Sequence, residues 1–182
     1  MPTPPDDHRA VAARFTQVVE GTTDWSAPAP CDGWTARDVV AHLVGWLPPF
    51  LRSGAGIELP AGPPVESDPA GAWRAHAAAV QAVLDDPASD SVTFANPHTG
   101  TMPLPAAISA FYTSDVFLHT WDLARATGQD ERLDRQRCAQ MLEDMRPMEE
   151  PMRASGQFGP AVTVPDDADP QTRLLAFIGR RP

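Results

Sequence analysis

Residues 107–124 read Ala107-Ile108-Ser109-Ala110-Phe111-Tyr112-Thr113-Ser114-Asp115-Val116-Phe117-Leu118-His119-Thr120-Trp121-Asp122-Leu123-Ala124. Pro105 before this stretch suits a first helical turn, and Gly128 after it suits the position just past a helix end. Together they predict a helix of about two dozen residues, long enough to span a small domain. Residues three and four apart share a helix face. Ile108, Tyr112, Asp115, His119, Asp122 and Ala126 therefore form one stripe, apolar at its ends and carrying two carboxylates and an imidazole in the middle. Val116, Phe117 and Leu118 leave little of this helix fit for water, so the polar stripe is expected to point inward. A buried carboxylate and imidazole are costly unless they pair or bind a metal. From this helix alone both readings stand.

Working outward, Val11, Phe15, Val18 and Val19 recur at helical spacing in residues 6–20, with Gly21 as a stop. Residues 22–33 are rich in turn formers. Thr35 with Asp38 three residues on resembles a capping box. It opens a second helix whose face holds Val39, His42, Leu43, Trp46 and Phe50, with Gly54 placed past its end. A third helix is predicted over residues 69–86, with Trp73, Ala77, Val80 and Leu84 as its stripe. Residues 89–102 read as a loop, although Val92-Thr93-Phe94 has the composition of a short strand. After Gly128 come a polar helix over 131–146 stopped by Pro147, a turn at 156–160, an extended piece at 162–164 and a final helix over 171–178. Four amphipathic helices predict an all-α four-helix bundle. It is read as a single domain over 1–182, with a core at 6–128 and a short helical and extended appendage at 129–182.

Composition narrows the function classes. The chain has 182 residues, 14 Lys+Arg against 24 Asp+Glu, and a formal charge of −10. Such a polyanion is expected to avoid nucleic acid and anionic membranes. All fourteen cations are arginine, which excludes Schiff-base lysine chemistry and a Walker-type phosphate lysine. Two cysteines, no signal-like start and no run of about 18 apolar residues predict a cytoplasmic protein without a disulfide framework.

His42 changes the weighing of Asp115 and His119, because it too lies on the inward face of its helix. Two inward histidines and a carboxylate at i, i+4 match an open divalent-metal site with three protein ligands. The segments that flank these residues carry a resemblance. They are Trp25-Ser26-Ala27-Pro28, the run Pro30-Cys31-Asp32-Gly33-Trp34-Thr35-Ala36-Arg37-Asp38-Val39-Val40-Ala41-His42-Leu43, then Asp115-x-x-x-His119-x-Trp121-Asp122-Leu123-Ala124-x-Ala126-x-Gly128. The tail adds Phe158-Gly159-Pro160 and Arg173-Leu174-Leu175-Ala176 to Gly179-Arg180. This pattern resembles the DinB/YfiT-like superfamily, in its mycothiol-dependent maleylpyruvate isomerase family and that family's actinobacterial metal-binding relatives. The resemblance implies a four-helix bundle with a metal held by His42, Asp115 and His119, and a low-molecular-weight thiol, mycothiol, as co-substrate. It implies a thiol transferase or isomerase acting on a small electrophile. The alternative is a non-catalytic protein that anchors a small ligand on its metal for sequestration or resistance. Zinc is the expected metal, while nickel or iron suits the same donors. Two departures stand out: the isomerase has a glutamate where this chain has Asp115, and a separate C-terminal domain where this chain has a tail.

Several neighbours are open to two readings. Asp122 either orients an imidazole from behind or pairs with an arginine such as Arg37 or Arg125. Tyr112 is either a proton donor at the site or a core tyrosine with its hydroxyl satisfied. Cys31, in the turn before the second helix, either packs or supplies a thiolate favoured by the helix N-terminus. Trp34, Trp46 and Trp121 serve as core or pocket wall. His8 is placed in a disordered start, His76 beside an apolar stripe, and His98 in a turn near the open end of the bundle. The expected partner is a small-molecule substrate, and a homodimer is compatible with a bundle of this size.

Overall fold

The computed structural model describes residues 2–97 and 100–182; the expectation for His98 lies outside them. The expected all-α bundle is present. Helix α1 spans Pro4–Gly21, α2 Ala36–Ala55 and α3 Pro69–Asp85. The fourth member is one long helix built of α4 (Leu104–Ala107), a π-helical segment (Ile108–Thr113) and α5 (Ser114–Ala126). Helix α1 packs on α3 and α5, and α2 packs on α5 and α3. The long helix is the central member. From Val116 to Ala124 every residue is buried.

Each start has a local cause. Thr3, Thr35 and Asp68 accept backbone N–H bonds at the starts of α1, α2 and α3, satisfying donors that the helix leaves free. At α2 the box is reciprocal: the Thr35 N–H donates to Asp38 at 2.8 Å while Thr35 Oγ1 accepts from the Asp38 N–H. The end of α2 differs from expectation. Gly54 lies inside the helix, which continues to Ala55 and closes on Gly56 at φ +67°. Glycine is needed at 54 because the Phe94 ring occupies the place of a Cβ. Gly128 closes the long helix at φ +67°, as its placement predicted.

Residues 89–102 are not a plain loop. Strands β1 (Thr93–Asn96) and β2 (Gly100–Pro103) form an antiparallel hairpin with Phe94 opposite Met102. Phe94 is fully buried and its ring lies 4.5 Å from that of Phe50, so burial of one aromatic decides the strand. After Gly128, Asp130 pairs with Arg132, and Asp134 caps α6 (Arg135–Met145). The helix therefore begins four residues later than expected. The short α7 (Glu149–Ala154) and α8 (Pro170–Phe177) complete the chain, and α8 packs against α6. Arg153 donates to the carbonyls of Gly159 and Phe177, and the Val162 N–H donates to Ala176 at 2.9 Å.

One histidine departs from expectation: His8 belongs to α1 and is fully buried. His76 lies on α3 beside the apolar stripe, as expected, and is buried. No helix among the described residues is long and apolar enough to cross a membrane.

Candidate metal centre

The capped start of α2 places His42 two turns into the helix, facing Asp115 and His119 on α5. His42 Nε2 lies 3.0 Å from Asp115 Oδ2, and His119 Nε2 lies 3.4 Å from Asp115 Oδ1. One ligand atom from each residue falls within 4.8 Å of the others. Around a tetrahedral zinc with bonds of about 2.0–2.1 Å, neighbouring ligand atoms are about 3.3–3.4 Å apart. The spacing and the N, O, N donor set therefore fit a divalent cation. Among the described residues this group contains three donors, as in sites that keep a position for water or substrate. His42 and Asp115 stay partly exposed, at 31% and 25%, while His119 is at 5%.

Two indoles wall the group. Trp34 stacks on His119 with ring centroids 5.7 Å apart and lies 5.0 Å from His42. Trp46 Nε1 donates to Asp115 Oδ2 at 2.9 Å, which orients the carboxylate. Trp121, by contrast, is core.

Behind His119 sits Asp122, 1% exposed. Its Oδ2 is 2.8 Å from His119 Nδ1, an ion-pair contact outside ideal hydrogen-bond geometry. Asp122 thus touches both an imidazole and an arginine, but the arginine is neither Arg37 nor Arg125. Arg180, from the tail after α8, donates through Nε and a terminal nitrogen to the two Asp122 oxygens at 2.8 and 2.9 Å. Arg125 instead pairs with Glu131. Cys31 Sγ lies 3.5 Å from Asp122 Oδ2 and forms a second donor group with His119 and Asp122. In that group the carboxylate is already taken by a guanidinium, so His42, Asp115 and His119 are the better cation ligands. The role of Arg180 was invisible in the linear pattern, where only its place in the Gly179-Arg180 signature marked it.

Electrostatics follow from this arrangement. Burial alone would lower the His119 imidazole, but Asp115, Asp122 and Cys31 outweigh it and raise it to about 10. Burial would raise Asp122, yet the His119 imidazolium beside it and the two bonds from Arg180 hold it down at about 2. Asp115 likewise lies below the usual carboxylate range, because His119, His42 and Trp46 outweigh its burial. Without a cation the cluster is an imidazolium among carboxylates, and a metal would replace that proton.

Tyr112 is not brought into this group. A one-residue widening of a helix rotates the faces on either side by about 100°, and the π segment does so between Ile108 and Thr113. The expected single stripe is therefore split. Asp115, His119 and Asp122 remain together, while the Tyr112 ring packs among His8, His76 and Trp46. Its hydroxyl has no hydrogen-bond partner among the described residues.

Comparison with known proteins places the chain in a family. The family model described as the mycothiol maleylpyruvate isomerase N-terminal domain matches residues 8–124, which include the three candidate ligands. Two uncharacterised Mycobacterium tuberculosis proteins, MT0763 of strain CDC 1551 / Oshkosh and Rv0738 of strain H37Rv, are each 35% identical over 156 residues. The match covers 84% of this chain and 83% of theirs. No solved structure matches. The chain belongs to the mycothiol maleylpyruvate isomerase N-terminal domain family, within the DinB-like superfamily.

Proposed function

We propose that the protein binds one divalent cation, zinc first among them, through His42, Asp115 and His119. On this reading it acts as a thiol S-transferase or isomerase on a small electrophilic substrate, with mycothiol or a similar thiol as co-substrate. The observation that carries this reading is the convergence of two imidazole Nε2 atoms and a carboxylate on one partly open point. A bound divalent cation supplies positive charge that lowers the pKa of a coordinated water or thiol by several units.

The chain's own residues prepare that point. Asp122 holds the Nδ1 side of His119, leaving Nε2 to face the cation, and Arg180 neutralises Asp122 from the far side. Trp46 fixes the Asp115 carboxylate. Trp34 and Trp46 exclude water from two sides and offer flat apolar walls to a substrate. Family membership supports the link to a thiol, and the small-molecule partner is part of the same proposal.

Metal-depleted protein reconstituted with zinc and supplied with mycothiol and maleylpyruvate is expected to consume or isomerise substrate in a thiol-dependent manner. His42→Ala should lose the metal and the turnover while keeping its far-ultraviolet circular dichroism. Stoichiometric metal with no turnover would favour the metal-anchored binding protein. Failure to take up one equivalent of zinc would end both readings.

A further inference from the structure

Away from the ligand cluster, the bundle interior holds three polar side-chain atoms with no partner among the described residues: His8 Nε2, His76 Nε2 and Tyr112 Oη. They come from α1, α3 and the π segment. Their residues are 0%, 4% and 0% exposed. The Tyr112 ring centroid lies 5.7 Å from that of His8 and 5.5 Å from that of His76. The other His8 nitrogen, Nδ1, is engaged with Thr113 Oγ1 at 3.0 Å. Native interiors seldom leave such atoms unmatched, and three of them around one tyrosine call for a shared partner.

We propose that His8, His76 and Tyr112 form a second polar site, inside the bundle and separate from the metal ligands, that holds one water molecule. A buried water makes about three hydrogen bonds, the number of unmatched atoms here. It donates and accepts, so it suits a hydroxyl and two imidazoles in either tautomer. Burial keeps both imidazoles down at about 4, and neutral rings attract no anion. Among the described residues neither histidine joins a grouping of metal-ligating side chains, so a cation is disfavoured. His76 also lines a pocket of about 340 Å³ with Val44, Pro48, Leu59, Pro64 and Val65. The Tyr112 ring, carried by the π segment, meets His8 of α1 and His76 of α3 as well as Trp46 of α2. The water then ties α1, α3 and the long helix together.

Tyr112→Phe tests this by the sign of its effect, because it removes only the hydroxyl. A hydroxyl bonded to water is a stabilising group, so its loss lowers the melting temperature. Loss of an orphaned buried hydroxyl leaves the melting temperature unchanged or raises it. Oxygen-17 magnetic relaxation dispersion supplies the second reading, on Tyr112→Phe/His76→Leu against the wild-type protein. One fewer long-lived internal water is expected in the double variant. An unchanged or raised melting temperature for Tyr112→Phe overturns the proposal, as does equal dispersion from the two proteins.

Discussion

Metal binding at His42, Asp115 and His119 is expected to depend steeply on pH, because His119 must give up a proton to become a ligand. An imidazolium has no lone pair to offer at Nε2. Burial opposes that charge, but Asp115 at 3.4 Å, Asp122 at 2.8 Å and Cys31 hold the proton on up to about 10. At pH 7 the site is therefore about three units below the titration of this ligand. Displacing its proton costs about 4 kcal/mol at 1.36 kcal/mol per unit. A raised pKa means that the competing proton is fully present at low pH and is lost only as pH rises toward 10. The apparent association constant for zinc should thus rise about tenfold per pH unit between pH 6 and 9 from His119 alone. Competition against a chromophoric chelator at fixed ionic strength measures that slope. Calorimetry in two buffers of different protonation enthalpy should find about one proton released from His119 per zinc at pH 7. A zinc affinity that does not change with pH, or binding without proton release, would refute the assignment of His119 as a ligand held protonated by its neighbours.

Other consequences concern the frame around the site. Arg180→Leu strands the Asp122 carboxylate in a buried position, where a lost partner costs about 3–5 kcal/mol; denaturant unfolding at pH 7 reads the loss. Asp122 near 2, against an ordinary value of 3.8, contributes about 2 kcal/mol above pH 4, lost as pH falls from 4 to 2. Arg180→Leu should flatten that part of the acid limb, and an unaltered limb would show that the salt bridge does not hold Asp122 down. Gly54→Ala reverses a usual rule. In an ordinary helix interior it stabilises by about 1 kcal/mol, but here the added Cβ would lie 2.1–2.6 Å from Phe94 ring carbons. Overpacking of this kind costs about 1–3 kcal/mol, so the melting temperature should drop; a rise would mean that the hairpin yields freely.

Periodicity and capping residues are local properties, and through them the chain alone declared four helices, the inward face of α2 and the pairing of Asp115 with His119 one turn apart. The motifs around Trp34 and Trp121 also declared the family. Contacts between distant segments were a different matter. Nothing local shows that Arg180, 58 residues after Asp122, completes the support of His119. Nor does it show that Phe94 folds back on Gly54 to make a hairpin of an apparent loop. His8 looked like part of a loose start because its burial depends on α3 and the long helix. The π segment was equally hidden, since one widened turn leaves the residue pattern intact while changing the helix face on which Tyr112 falls. Local sequence decides which backbone hydrogen bonds form within an element. Burial and charge pairing depend on which elements meet, and that is settled only when the whole bundle closes.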